Sequence, residues 1–142
     1  MRVLFVCLGN ICRSPAAEGV MRAPAPDLTL DSAGTGGWHV GDAPYGPMQT
    51  AARARGIDLS YLRARQFSAG DFDRFDLIVA MDRQNLRDIE QLRPAGQGTP
   101  ARLLDKSDVP DPYYTRDFDG CLDLIEAACV RLQADISASP AR

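Results

Sequence analysis

The 142-residue chain has no apolar run long enough to cross a bilayer. Its N-terminus enters a strand-like segment at Val3, without the layout of a signal peptide. It has no surplus of positive charge. Lys and Arg total 16 against 19 Asp and Glu, a formal net charge of −3, which excludes the basic field needed to hold nucleic acid or an anionic membrane. Histidine occurs once, as His39. No Cys/His cluster has the spacing of a metal site, so no metal is expected. The four cysteines form no spaced disulfide framework: Cys7 and Cys12 share one short segment, and Cys121 and Cys129 fall on one predicted helix. A reducing, cytoplasmic setting is expected. Internal repeats and low-complexity linkers are also missing, and the length suits one domain, residues 1–142. What remains is ordinary for a soluble globular protein: 45% hydrophobic and 25% charged residues.

One stretch stands out, Val3-Leu4-Phe5-Val6-Cys7-Leu8-Gly9-Asn10-Ile11-Cys12-Arg13-Ser14-Pro15. Val3 to Val6 suits a strand buried on both faces. Gly9 and Asn10 are the residues that best tolerate left-handed backbone angles. Ser14 is a good N-cap, and Pro15 suits the first helical position. The segment therefore reads as strand, tight loop and helix start. Such a loop turns successive N–H groups inward, and the helix dipole adds partial positive charge, so it binds a tetrahedral oxyanion. The P-loop signature G-x-x-x-x-G-K-[ST] is missing. In its place stand a thiol at the start and a guanidinium at the end. Inward amides, dipole and Arg13 all favour a sulfur anion on Cys7. Arg13 can grip two phosphate oxygens at once, which a lysine cannot. A nucleophile beneath a clamped phosphate is a phosphoryl-transfer site.

Further along, a helix is predicted over 14–22, ended by Pro24 and Pro26. A strand follows over 28–32, then a long Gly- and Pro-rich loop over 33–47. A helix over 48–55 closes at Gly56. A short helix over 68–73 takes Ser68 as its cap. Phe75 to Met81 contains a second fully buried strand, Leu77 to Ala80. Asp82 caps a helix whose Leu86, Ile89 and Leu92 share a face until Pro94. Ala101 to Leu104 reads as a fourth strand, and 105–114 as a loop. Phe118, Cys121, Leu122, Ile125, Cys129, Leu132 and Ile136 recur at helical spacing and predict a long terminal helix. Alternating strands and helices imply an α/β fold, a parallel sheet covered on both faces, with ligands bound beyond the strands' carboxyl ends.

The segment Cys7-Leu8-Gly9-Asn10-Ile11-Cys12-Arg13-Ser14, as Cys-x5-Arg-Ser after an N-terminal strand, resembles the low-molecular-weight protein tyrosine phosphatases. Asp111-Pro112-Tyr113-Tyr114 resembles the family's second motif, and Met81-Asp82-x-x-Asn85-Leu86 also matches. The resemblance implies a three-layer fold with a four-stranded parallel sheet in the order 2-1-3-4. It implies hydrolysis of phosphotyrosine through a phosphocysteine on Cys7, with Arg13 on the phosphate. Leu8, Gly9, Asn10, Ile11, Cys12 and Ser14 complete the phosphate loop. Asp111 takes the role of general acid and then base, ahead of Asp105 and Asp108, which lack the Pro-Tyr-Tyr context. Tyr113, Tyr114 and Trp38 map to crevice walls, and Ser32 to a serine that supports Asn10. Ser14 is read as a donor to the Cys7 thiolate, as a helix cap, or as both. Cys12 is a small buried residue or the redox partner of Cys7. His39 reads as a surface or rim residue, and Cys121 and Cys129 as core. No cofactor is implied. The expected partner is a phosphotyrosine protein, in bacteria often a tyrosine kinase of exopolysaccharide export.

The pattern departs at two places. Leu62 stands where bacterial members usually have a histidine that buttresses the loop Asn, and Tyr45 and Pro47 stand where an Asp and an Arg are usual. Three rivals carry other chemistry. Protein arginine phosphatases have a Thr at Ile11. Arsenate reductases need an extra cysteine pair, and no cysteine lies between Cys12 and Cys121. A phosphate-binding module without turnover would not need thiol, Arg13 and Asp111 together.

Overall fold

The computed structural model describes residues 1–138; residues 139–142, the end of the expected domain, lie outside it. Its sheet is formed by β1 (Arg2–Cys7), β2 (Thr29–Gly34), β3 (Leu77–Ala80) and β4 (Ala101–Leu103). All pairings are parallel, in the order β2-β1-β3-β4. The order reverses at β1, whose partners are β2 on one side and β3 on the other. Its carboxyl end, Cys7, therefore lies at the switch point where such sheets bind ligands.

Alternation along β1 divides the core into two layers. Val3, Phe5 and Cys7 face the larger one, with Ala16, Ala17 and Met21 of α1 (Arg13–Arg22), Met48 and Ala52 of α2 (Gly46–Arg53), and Leu122, Ile125, Ala128 and Leu132 of α6 (Phe118–Ala138). Leu4 and Val6 face the smaller one, with Phe72 of α3 (Asp71–Arg74) and Ile89 of α4 (Arg83–Gln91). The terminal helix buries the predicted stripe: Cys121, Leu122, Ile125, Cys129 and Leu132 are buried, and Phe118 and Ile136 pack at its edge.

Several expectations are corrected. Ser14 is not the cap of α1. The helix starts at Arg13, because the Cys12 carbonyl already accepts from the Ala16 amide at 3.2 Å, and Pro15 becomes its third residue. Ser68 does not cap α3, whose N-cap is Gly70; there the Asp71 carboxylate accepts from the Ser68 amide at 2.9 Å. β2 runs on to Gly34 because Ala33 and Gly34 pair with Val6 and Cys7. α2 begins two residues early, at Gly46, with Pro47 in its first turn. Leu92 ends α4 as its C-cap and stays exposed, while Ile89 is buried. The expected loop over 105–114 ends in a one-turn helix, α5 (Pro112–Thr115), started by Asp111 as N-cap and Pro112 at the first position.

Candidate active site

The loop from Leu8 to Cys12 joins β1 to α1. Asn10 takes the left-handed conformation, at φ 58°. Gly9 does not, contrary to expectation. Its place is set by packing, since a Cβ there would stand 3.2 Å from Cδ2 of His39. The loop lies directly on the end of β2: a Cβ on Gly34 would come 2.8 Å from the Leu8 carbonyl oxygen and 3.1 Å from the Asn10 nitrogen. Three loop carbonyls point outward. Cys7 accepts from the Thr35 amide at 2.9 Å, Leu8 from Gly36 at 2.9 Å and Ile11 from Tyr45 at 2.8 Å. In a trans peptide the following N–H points the opposite way. Outward carbonyls at 7, 8 and 11 thus turn the amides of Leu8, Gly9 and Cys12 to the inside, forming the expected nest.

At the floor sits Cys7, buried, with its sulfur 3.0 Å from the Ser14 hydroxyl and accepting from the Asn10 amide at 3.3 Å. Ser14 therefore reaches the sulfur as expected, without capping. Asn10 is held on all sides. Its Nδ2 donates to Ser14 Oγ at 2.8 Å and to Ser32 Oγ at 3.0 Å, and its Oδ1 accepts from the Arg65 amide at 3.0 Å. Leu62 packs against the core instead of reaching Asn10, so a backbone amide and two hydroxyls hold the side chain.

Arg13 is buried along the wall. Its Nη1 donates to Asp82 Oδ2 at 2.7 Å and to the Val109 carbonyl at 2.9 Å, and Nη2 lies 3.4 Å from Asp111 Oδ2. Burial lowers the tendency of the guanidinium to hold its proton. The sulfur of Cys7 and the Asp82 and Asp111 carboxylates outweigh that and push the balance upward, keeping the cation. Asp111 spends its other oxygen on the Tyr113 amide at 3.1 Å, so its turn-forming role and its place beside Arg13 coexist. Tyr113, Tyr114, Trp38 and His39 line the mouth of a crevice of about 240 Å³ whose inner lining is Cys7, Leu8, Gly9, Ile11, Cys12, Arg13 and Asp111. His39 sits at the rim, with Nδ1 3.2 Å from Asp42 Oδ2.

Two contributors escaped the sequence reading. Asp82 caps α4 through the Asn85 amide at 2.7 Å while its second oxygen fixes Arg13. The available signal was its place, an acidic cap just beyond a buried strand on the ligand edge of the sheet. Glu18, buried in α1, accepts from Ser32 Oγ at 2.8 Å and from Arg22 at 2.6 Å, which anchors the serine that holds Asn10. Only its helical spacing from Arg22 was readable. Asp105 and Asp108 lie outside: they meet Arg131 at 2.8 Å and the Arg83 amide at 3.0 Å. Burial pushes the Cys121 and Cys129 thiols up to about 12, as suits core side chains. Among the described residues, no group of His, Cys, Asp or Glu could hold a metal ion, and no helix is long and apolar enough to cross a membrane.

Fold and site together define a class: α/β proteins that present a sulfur at the bottom of an oxyanion nest. Residues 2–141 match the family model of the low molecular weight phosphotyrosine protein phosphatases. The chain is 42% identical over 147 residues to the low molecular weight protein-tyrosine-phosphatase YfkJ of Bacillus subtilis, covering 94% of each chain. The crystal structure of YfkJ superposes with a TM-score of 0.89 at 41% identity, covering 96% of this chain and 94% of that one. Identity to PtpA of Staphylococcus aureus is 40% over 140 residues, covering 92% and 90%. The structure of Vibrio vulnificus Wzb in complex with benzylphosphonate gives a TM-score of 0.87 at 26% identity, covering 94% and 97%. The chain belongs to the low molecular weight phosphotyrosine protein phosphatase family.

Proposed function

We propose that the chain hydrolyses phosphotyrosine in proteins, and aryl phosphate monoesters in general, through a phosphocysteine on Cys7. The observation that carries this reading is a single crevice with a sulfur in contact with the Ser14 hydroxyl and the Asn10 amide, and with the Arg13 guanidinium and the Asp111 carboxyl, 3.4 Å apart, in its lining. The phosphate enters the nest, where inward amides and Arg13 meet its oxygens. The Cys7 thiolate attacks phosphorus as the phenolic oxygen departs, and Asp111 hands that oxygen a proton. The Asp111 carboxylate then takes a proton from water, which attacks the phosphocysteine. Phosphate leaves, and the thiolate returns, with the Ser14 hydroxyl donating to it. Asp82 and the Val109 carbonyl hold one terminal nitrogen of Arg13, which fixes the plane of the fork before substrate arrives.

Trp38, Tyr113 and Tyr114 form aromatic walls suited to a phenyl ring. The benzylphosphonate held by the Vibrio relative, an aromatic ring one carbon from a phosphorus oxyanion, supports that substrate shape. Ile11 presents an apolar side chain to the crevice, which favours an aromatic ester over a guanidinium phosphate. Four free thiols support a reducing cytoplasm as the working compartment. Under peroxide, the Cys7 thiolate becomes a sulfenic acid. Cys12 lines the same crevice and attacks it, water leaves, and a Cys7–Cys12 disulfide protects the sulfur from further oxidation; burial pushes the Cys12 thiol well above its ordinary range, which slows this step.

The test is release of p-nitrophenol from its phosphate, with acid-quench capture of a phosphorylated cysteine. Turnover that survives Cys7→Ser would overturn the mechanism. Phosphate binding without hydrolysis at any pH would reduce the protein to a binding module. Cys7→Ser used as a trap in a lysate identifies the phosphoprotein.

A further inference from the structure

Tyr45 begins α2, far from Asp111 in sequence, yet it touches both halves of the site. Its amide donates to the Ile11 carbonyl at 2.8 Å, one of the three bonds that turn the nest inward. Its ring packs on Tyr113, with centroids 5.2 Å apart and planes at 49°, and on Phe118 at 6.0 Å. Its hydroxyl accepts from Arg116 Nη1 at 3.1 Å, and the same nitrogen lies 3.4 Å from the Tyr113 carbonyl. The Arg116 guanidinium also covers the rings of Tyr45 and Phe118, at 5.3 and 5.2 Å.

Arg116 is the residue that ends α5, and it does so at φ 65°, a conformation that is costly for a side chain other than Gly or Asn. Such a conformation persists only when its surroundings over-determine it. Here the ring of Tyr45 and its hydroxyl supply those surroundings. α5 is a single turn, too short to stand alone, and its N-cap is Asp111.

We infer that Tyr45 is a positioning residue for Asp111, tying the one-turn helix that carries the acid to the phosphate loop through Tyr113 and Arg116. This rests on the acid role given to Asp111 above. Loss of the tie lets α5 fray, and the carboxyl spends less time at the leaving oxygen. The nest is untouched, because its bond from residue 45 comes from the backbone.

The experiment is a leaving-group series, from phenyl phosphate to 2,4-dinitrophenyl phosphate, on wild type, Tyr45→Ala, Tyr45→Phe and Asp111→Asn. Inhibition by inorganic phosphate and thermal unfolding are read in parallel. Tyr45→Ala is expected to lower kcat/KM, which reports phosphocysteine formation alone, roughly tenfold on phenyl phosphate and hardly at all on the dinitrophenyl ester, a part of the general-acid contribution. Its inhibition by phosphate stays within about twofold of wild type, a shift of under ~0.5 kcal/mol. Tyr45→Phe keeps the ring and recovers most of the rate. Arg116→Gly, which accepts the backbone angle but removes both hydrogen bonds and the ring cover, reproduces the steeper series and serves if Tyr45→Ala does not fold. An equal loss across all leaving groups in Tyr45→Ala and Arg116→Gly, beside a steep series in Asp111→Asn, overturns the inference. A flat series in Asp111→Asn overturns the acid assignment, and the inference with it.

Discussion

The floor and the lip of the crevice are built on opposite principles. At the floor, Cys7, Asn10, Arg13 and Ser14 are 3, 2, 2 and 0% exposed, and each of these side chains has a hydrogen-bond partner. At the lip, Trp38 and Tyr114 are 73 and 72% exposed and Tyr113 42%. The floor is pre-organised before substrate arrives, which is where transition-state charge stabilisation is won. The lip offers flat apolar surface with few fixed bonds, suited to holding a ring. Asp111 stands between them, half-buried, with one oxygen toward Arg13 and the other tied to the Tyr113 amide.

The difference is sharpest at the floor. Cys7→Ser is expected to reduce kcat by about 10⁴-fold or more, because the step through a covalent intermediate is lost. Steady-state p-nitrophenyl phosphate hydrolysis measures it. Arg13→Lys is expected to lose ~10²–10³ in kcat, the scale of one missing preorganised donor, since one ammonium cannot replace the fork. Near-normal turnover would show that the floor's geometry matters less than its charge. Asp111→Asn, at the boundary, is expected to lose ~10²–10⁴ in kcat/KM on phenyl phosphate and far less on the dinitrophenyl ester. A loss independent of leaving group would move Asp111 from proton donor to mere helix cap.

Two further changes probe how the floor is propped. Asn10→Ala leaves Ser14, Ser32 and the Arg65 amide short of a partner and puts a Cβ residue without local hydrogen bonding at φ 58°. Urea unfolding is expected to show a loss of about 1–3 kcal/mol. Asn10→Gly, which accepts the angle, should lose less. Glu18 is the mildest case. Burial raises its carboxyl above the ordinary 4.5, despite bonds from Ser32 and Arg22 that lower it. A raised folded-state value means the stability linked to its proton is full below the ordinary glutamate value. That stability is lost as pH rises through the folded one. Compared with Glu18→Gln, wild type should therefore lose unfolding free energy as pH rises above the ordinary 4.5, as followed by urea titration. A difference that grows with pH would place the charged carboxylate among the stabilising groups.

How much of this was legible in the chain depended on distance in sequence. β1, the loop and α1 could be read because Val3 to Arg13 is continuous, and each residue type there answers a local backbone demand. Asp111 is readable through its Pro-Tyr-Tyr neighbours, although the same Asp-Pro step also starts α5, where the sequence predicts loop. Asp82 was seen as a helix cap but not as the anchor of Arg13, since 69 residues separate the pair. The path from Cys7 through Ser14, Asn10 and Ser32 to Glu18 crosses from helix to strand and back. Nothing in the spacing along the chain encodes such closures. Ser14 fails as a cap for a related reason: the helix already starts at Arg13, and the Ser14 hydroxyl oxygen accepts from Asn10 Nδ2 rather than from a first-turn amide. Leu62 and Tyr45, the departures from the family pattern, do not disturb the floor, because Asn10 takes the Arg65 amide and Ile11 takes the Tyr45 amide, both main-chain groups.

The contact between Gly34 and the underside of the loop carries one last implication. A grip made of peptide units resting on a neighbouring strand takes its curvature from the sheet and from the Asn10 side chain that props it, not from the side chains that face the ligand. Exchanging those ligand-facing side chains can therefore do little to reshape it, while a single methyl group added underneath would lift it off its seat. Variation in which tyrosine is chosen is left to the outer ring of aromatic residues, where changing a residue leaves the chemistry below undisturbed.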